Sequence, residues 1–158
     1  MVSLWRIATD TPDYTADDLT GKGAEITGGR WNRKGTAVLY TSSNIALACL
    51  ETVVHLNASG RLPLNRYLVE LIVPDSEWAA RSIASPSSLP LGWDAEPAGM
   101  ISLDFGTSWL ASKKTLLLQI PSVVVPEEAN ILINPAHPAA STVTATKRRR
   151  WLYDPRLR

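Results

Sequence analysis

The segment 28–55 constrains this chain most, because it joins a basic glycine-rich turn to a short strand and an apolar helix. It reads GGRWNRKGTAVLYTSSNIALACLETVVH. The run 37–41 is apolar and partly β-branched, which predicts a strand. Serines 42–43 stand where a helix N-cap is expected, and 44–56 has helical character. The predicted helix contains one acid, Glu51.

Glu51 is the main chemical clue in the sequence. On a helix its same-face neighbours are three apolar residues and one histidine, at positions 47, 48, 54 and 55. A carboxylate in such surroundings must be paired, protonated or used in chemistry. The structural alternative is an acid at the edge of the apolar stripe, or one in an ion pair with Arg6 or Arg30.

Length and composition describe an ordinary globular protein. The 158 residues predict a single domain spanning 1–158, with 45% hydrophobic and 20% charged residues. A net charge of +1 gives no global field that favours nucleic acid or a membrane. The single cysteine, Cys49, excludes an internal disulfide and fits a reducing compartment. With no signal-peptide core and no membrane-length apolar run, we expect a cytoplasmic protein.

The remaining regular elements are mostly predicted strands that do not alternate regularly with helices. The predicted strands are 2–8, 66–73, 115–120, 123–125 and 129–133. A short helix is predicted over 101–111, closed by two lysines. This order predicts an α+β fold with a central mixed or antiparallel sheet, rather than a doubly wound sheet.

Three segments are predicted to be irregular. A turn is expected over 57–65. The stretch 76–100 is broken by prolines and glycines, and as the longest such segment it is a candidate lid or partner surface. The basic run 147–150 is expected in a solvated tail, with contact to nucleic acid or an acidic partner as the alternative.

Several familiar sites are excluded by their missing motifs. Two histidines and one cysteine give no zinc-like spacing, so no metal is expected. Dinucleotide-binding, Walker and nucleophile-elbow motifs are missing, and no pair of acids marks an ordinary glycosidase. The remaining candidates for a site are Arg30, Trp31, Tyr40, Glu51 and Ser122.

Together these residues suit a ligand that carries phosphate and sugar groups. Arg30 could bind a phosphate, and Tyr40 or Trp31 could stack on a flat ring. Glu51 could accept hydrogen bonds from ribose hydroxyls and stabilise an oxocarbenium-like centre, with Ser122 orienting Glu51 or the substrate. The structural alternatives are a solvated arginine, two aromatic core residues and a serine that simply follows Pro121 in a turn.

Four segments, in this order along the chain, resemble the RES-domain toxins of bacterial toxin–antitoxin pairs. They are LWRIA, the segment 28–55, WLASKKTLLLQIPSVVVPEEANILINPAHP and WLYDPRL. The family is named for an arginine, a glutamate and a serine, which would correspond to Arg30, Glu51 and Ser122. The tyrosine that such proteins carry at a strand end would be Tyr40.

The resemblance implies a fold similar to the ADP-ribosyltransferase toxins and NAD as the substrate, without a metal. The first expectation is an NAD glycohydrolase that depletes NAD, and the alternative is ADP-ribose transfer to a protein. The resemblance also implies a cognate antitoxin with a helix-turn-helix DNA-binding domain that covers the active site. A homodimer is compatible with this picture, and neither membrane association nor direct nucleic-acid binding is expected. A non-catalytic nucleotide- or RNA-binding module is the remaining alternative.

Overall fold

The computed structural model describes residues 1–56 and 61–157, and within them seven strands form one sheet. The strands are β1 (Val2–Thr9), β2 (Leu39–Ser42), β3 (Arg66–Val73), β4 (Ser82–Ile83), β5 (Leu117–Pro121), β6 (Ala129–Ile133) and β7 (Thr144–Arg150). Their order across the sheet is β4-β5-β6-β2-β1-β3-β7, antiparallel throughout except for the parallel pair β4 and β5. The predicted α+β fold with a mixed sheet is confirmed.

The sheet consists of two well-paired parts joined at one point. On one side β1 pairs with β3 along its full length, from Val2 opposite Val73 to Thr9 opposite Arg66. On the other side β2, β5 and β6 pair over four or five positions. Between the two parts, the register of β1 and β2 contains the single pair Trp5 and Ser42. The two strands therefore separate beyond this pair, which opens the sheet.

Both faces of the sheet are covered at β5 and β6, which explains why these two strands are largely apolar. In β5, Leu117 packs into one buried cluster and its neighbour Leu118 packs into another on the opposite side. Ile131 and Leu132 of β6 divide between the same two clusters. Because successive side chains of a strand alternate between faces, a strand covered on both sides needs apolar residues at every position.

In the described part of the chain, four α-helices flank the sheet: α1 (Lys22–Thr27), α2 (Ile45–Val53), α3 (Asp75–Ala79) and α4 (Met100–Ser112). Two short 3-10 helices follow, Pro138–Thr142 and Pro155–Leu157. The predicted helices around Glu51 and Trp109 are confirmed as α2 and α4, and α1 was not predicted. None of the helices in the described ranges is long and apolar enough to cross a membrane.

The predicted N-cap of α2 was wrong. Asn44 caps the helix, its side chain accepting a hydrogen bond from the backbone N–H of Leu47 at 2.8 Å. Ser42 instead ends β2, is 4% exposed, and uses its hydroxyl elsewhere. Asparagine and serine cap helices equally well, so local preference did not decide between neighbouring positions.

The predicted strand over 123–125 was also wrong, because this segment is a bend. The backbone N–H groups of Val124 and Val125 both donate to the Ser122 hydroxyl at 3.1 Å. A serine side chain that bonds the following backbone in this way stabilises a turn instead of a ladder.

The basic run 147–150 lies in β7, an edge strand, and not in a tail. Lys147 donates to Asp10 at 2.8 Å, and Arg148 forms an ion pair with Glu70 of β3. Charged residues are common on edge strands, so the composition that suggested a tail is equally typical of an edge. The turn predicted over 57–65 lies partly outside the described residues.

Candidate active site

The separation of β1 from β2 opens a cavity of about 640 Å³. Residues of both strands line it, together with the C-terminal half of α2 and the loop that follows α1. Four of the predicted site residues line this cavity: Arg30, Trp31, Tyr40 and Glu51. The fifth, Ser122, is fully buried and contacts the cavity through Glu51.

Glu51 is half-buried near the C-terminal end of α2, beside the C-terminal end of β5 and the N-terminal end of β6. Its Oε1 atom accepts hydrogen bonds from the Ser122 hydroxyl at 2.5 Å and the Asn130 amide at 2.8 Å. Within the described part of the chain, neither Arg6 nor Arg30 forms an ion pair with it. The carboxylate is therefore held by two neutral donors, a hydroxyl and an amide.

Ser122 follows β5 directly and combines the two roles that were considered for it. It is the turn residue after Pro121, since its oxygen accepts the backbone N–H groups of Val124 and Val125. Its hydroxyl hydrogen is thereby left for Glu51. The turn fixes the direction of the hydroxyl, and the hydroxyl fixes the carboxylate.

The sequence did not identify Asn130 as a candidate site residue. It is the second residue of β6 and lines the cavity, and its Oδ1 atom accepts a hydrogen bond from the Ser42 hydroxyl at 2.7 Å. The available signal was a polar amide that begins the apolar run Ile131–Ile133. In a strand covered on both faces, such a residue must find polar partners, which marks it as a candidate.

Tyr40 holds the loop after α1 in place. Its hydroxyl donates to Asn32 Oδ1 at 2.6 Å and accepts the backbone N–H of Trp31 at 3.1 Å. Burial raises the pKa of the Tyr40 hydroxyl above its ordinary value, although the Trp31 N–H and the Arg30 charge oppose that rise. Gly29 is required beside it, because a Cβ there would lie 2.7 Å from the tyrosine oxygen.

Trp31 is largely covered, with 3% of its surface exposed. Its ring is stacked on Trp93 with centroids 6.4 Å apart and meets Phe105 of α4 edge-on at 5.9 Å. These contacts join the loop after α1 to α4 and to the irregular segment 84–99. The residue forms part of the cavity wall and of the core behind it.

The Arg30 guanidinium is bound to the segment that precedes α4. Its Nη1 atom donates to the backbone carbonyls of Trp93 at 3.2 Å and Ala95 at 2.7 Å, and Nη2 pairs with Glu96 at 2.8 Å. The Arg30 side chain is 16% exposed, whereas that of Glu96 is 77% exposed. The segment predicted as a lid is thus tied to the cavity through the arginine that was predicted to bind phosphate.

Further basic residues line the cavity: Arg6 of β1, Arg66 of β3 and His55 after α2. Burial lowers the pKa of Arg6 from its ordinary value, opposed by the negative charge of Asp18. The Nε atom of Arg66 is buried without a hydrogen-bond partner. No group of three or more metal-binding side chains was found among residues 1–56 and 61–157. Because three arginines line the cavity, its wall suits an anionic ligand.

In this small α+β protein, a carboxylate held by neutral donors lies in a cavity whose other charged groups are mostly basic, an arrangement able to stabilise positive charge on a bound anion. The RES domain family model matches residues 3–154, and the chain belongs to that family. It is 63% identical to the Prs ADP-ribosylating toxin of Sphingobium sp. (strain YBL2), over 98% of this chain and 96% of the relative.

Two proteins named Toxin Res are also similar. The one from Yersinia enterocolitica is 39% identical, over 92% of this chain and 93% of the relative. The one from Pseudomonas putida is 34% identical, over 88% of each chain. The predicted resemblance to RES-domain toxins is confirmed.

Proposed function

We propose that this protein breaks the nicotinamide–ribose bond of NAD+ and transfers the ADP-ribose to a protein. The observation that carries the proposal is Glu51, a carboxylate fixed through one oxygen in a cavity whose other charged groups are mostly basic. Support for NAD+ and for a protein acceptor comes from the Sphingobium relative, whose name states that it ADP-ribosylates Prs.

The chemistry requires little more than charge stabilisation. When the bond between C1′ of the ribose and the ring nitrogen breaks, its electron pair leaves with nicotinamide, which becomes neutral. The ribose is left as an oxocarbenium ion, and a carboxylate that accepts its hydroxyl hydrogen bonds stabilises that charge. A nucleophile of the acceptor then bonds to C1′ and loses its proton. Glu51 is the carboxylate that we assign to this role.

The basic residues of the cavity wall are the proposed binding groups for the pyrophosphate. Arg30 and Arg6 each provide a guanidinium, whose fork of N–H donors matches two phosphate oxygens. Binding at Arg30 would displace Glu96, whose carboxylate is exposed and free to move into solvent. Tyr40 and Trp31 would then bound the space for the flat nicotinamide ring.

The first experiment is to mix the purified protein with NAD+, with and without Prs, and to follow nicotinamide, ADP-ribose and the mass of Prs. Glu51→Gln is the matched control, because it keeps the shape and removes the charge. We expect nicotinamide release with modification of Prs, and loss of both by more than about a thousandfold in the variant. Circular dichroism checks that the variant is folded.

The outcomes separate the two acceptors. Nicotinamide and ADP-ribose in equal amounts, with Prs unmodified, would instead establish the glycohydrolase, in which water is the acceptor. Nicotinamide release by a folded Glu51→Gln variant at the wild-type rate would contradict the assignment of Glu51. No nicotinamide in any mixture, with cell extract included, would contradict the proposed reaction.

We also propose that a cognate antitoxin with a helix-turn-helix domain covers the cavity and blocks it. The protein would act in the cytoplasm, where NAD+ and the acceptor are found. Expression of the wild type alone should stop growth, whereas expression of Glu51→Gln should not. Co-purification of the variant with the product of a neighbouring gene, and loss of nicotinamide release when that product is added to the wild type, would test the partner.

A further inference from the structure

Within the described residues, the Glu51 carboxylate is held through one of its two oxygens. Both donors, the Ser122 hydroxyl and the Asn130 amide, bind Oε1. Among residues 1–56 and 61–157, no group donates a hydrogen bond to Oε2. The two oxygens are therefore not equivalent: Oε1 is anchored to the protein, and Oε2 is left for a ligand.

The direction of each hydrogen bond in this network is determined. The Ser122 oxygen accepts two backbone N–H groups, so its single hydrogen points to Glu51. Asn130 Oδ1 accepts from the Ser42 hydroxyl, so its Nδ2 atom faces Glu51. If the Asn130 amide were reversed, an acceptor oxygen would face the carboxylate and repel it.

The sheet holds Asn130 in place from both sides. Its backbone is paired with Ser42 of β2 on one side and with Ile120 of β5 on the other. Ser42 is in turn the residue that pairs with Trp5 of β1, at the single point where the two parts of the sheet meet. The network thus rests on paired strands that line the cavity, and a side chain built on paired strands can hold a precise orientation.

We propose that Asn130, oriented by Ser42, is a positioning residue for Glu51. It fixes the rotation of the carboxylate about its terminal bond, so that Oε2 faces the ribose of the substrate. Ser122 shares this task from the opposite side of Oε1. The inference rests on the proposed cleavage of NAD+, in which Glu51 acts on the ribosyl cation.

The test is the rate of nicotinamide release from NAD+, with Prs present as the acceptor, by Asn130→Ala and by Asn130→Asp. A misplaced carboxylate loses contacts made in the transition state, so Asn130→Ala should lower kcat roughly ten- to hundredfold. The KM for NAD+ should stay within about twofold, because the residues that bind the ligand are unchanged. A structural role alone would lower the amount of folded protein without this separation of kcat from KM.

Asn130→Asp gives a second signature, because it keeps the shape of the side chain. The ionised form of the introduced carboxyl group repels Glu51, whereas its protonated form can donate a hydrogen bond as the amide does. We therefore expect kcat of this variant, relative to the wild type, to rise as the pH is lowered. The other charged groups of the cavity are present in both proteins, which is why the variant is compared with the wild type at each pH; they are Arg6, Arg30, His55, Arg66 and Glu96.

Asn134→Ala is the matched control. Asn134 is also a buried asparagine, and it directly follows the opposite end of β6, outside the cavity. Its amide donates a hydrogen bond to the backbone carbonyl of Leu110 in α4. We expect Asn134→Ala to lower the unfolding temperature while the folded protein keeps the wild-type kcat.

Ser42→Ala removes the hydrogen bond that orients the Asn130 amide, so it should lower kcat by roughly two- to tenfold.

The results separate the inference from the function on which it rests. An inactive wild type would remove the proposed reaction. An active wild type, together with a folded Asn130→Ala variant whose kcat is within twofold of it, would overturn the positioning role. A relative kcat of Asn130→Asp that does not change with pH would also overturn it.

Discussion

Glu96 occupies the Arg30 guanidinium, which is the group that we expect a ligand phosphate to bind. Arg30 is mostly buried at the cavity wall, whereas its partner Glu96 is 77% exposed. Two backbone carbonyls also accept hydrogen bonds from this guanidinium. Arg30 can therefore hold the segment before α4 and bind a ligand phosphate only if the exposed carboxylate gives way.

Removing the charge of Glu96 should favour the ligand. We expect Glu96→Gln to lower the KM for NAD+ by about two- to fivefold, since an exposed ion pair contributes at most about 1 kcal/mol. The measurement is nicotinamide release over a range of NAD+ concentrations. Asp94→Asn is the control, because it makes the same charge change in the same loop, and its side chain forms no hydrogen bond or ion pair with Arg30 in the described structure. A higher KM in the Glu96 variant alone would mean that Arg30 acts by holding the loop.

At the scale of elements, α4 fixes the position of the cavity loop from behind. Gly106 of α4 lies against the backbone of Trp31, and a Cβ at this glycine would come within 1.9 Å of the Trp31 carbonyl oxygen. No larger residue fits without moving either the helix or the loop. The sequence around Trp109 predicts the helix, but nothing in it indicates that a glycine is needed at this position.

Gly106→Ala should therefore destabilise the protein, although the same change in an exposed helix stabilises it by up to about 1 kcal/mol. We expect the free energy of unfolding in urea to fall by about 1–3 kcal/mol, the usual cost of overpacking. Nicotinamide release should fall as well, because the displaced loop carries Arg30. Ser108→Ala, at an exposed position of the same helix, should change stability by no more than about 0.5 kcal/mol. A stabilised Gly106 variant would contradict the close packing.

At the scale of the whole molecule, β7 is attached by ion pairs as well as by its ladder to β3. The hydrogen bond from Lys147 is the main cause that lowers the pKa of Asp10, and the one from Arg148 lowers that of Glu70. The ordinary values are 3.8 and 4.5. A carboxyl group whose pKa is lower in the folded protein stabilises it above the ordinary value.

The free energy of unfolding should therefore decrease as the pH falls below about 4.5, because these carboxylates take up protons more readily in the unfolded chain than in the folded protein. Urea unfolding at a series of pH values measures the effect. Glu70→Gln should make the dependence shallower, and Glu127→Gln, at an exposed position without an ion pair in the described structure, should not change it. An identical pH dependence in the wild type and the Glu70 variant would rule out this contribution.

Local patterns were sufficient for several parts of the molecule. β3 and β6 have the predicted bounds, because alternation and apolar runs are properties of a few consecutive residues. Glu51 stood out for the same reason, as one acid within a single helical face. The last strand, β7, was not predicted from local patterns, because a charged edge strand has the same composition as a solvated tail.

Local sequence patterns were enough to predict the α+β class, the main strands of the core and an unusual carboxylate on α2. The contacts of that carboxylate could not be predicted in this way. Glu51 meets Ser122 and Asn130 from 71 and 79 residues away, and these contacts depend on the order and register of the strands. The cavity likewise exists because β1 and β2 pair at one point. Strand order and register arise from packing over the whole chain, and no local pattern contains them.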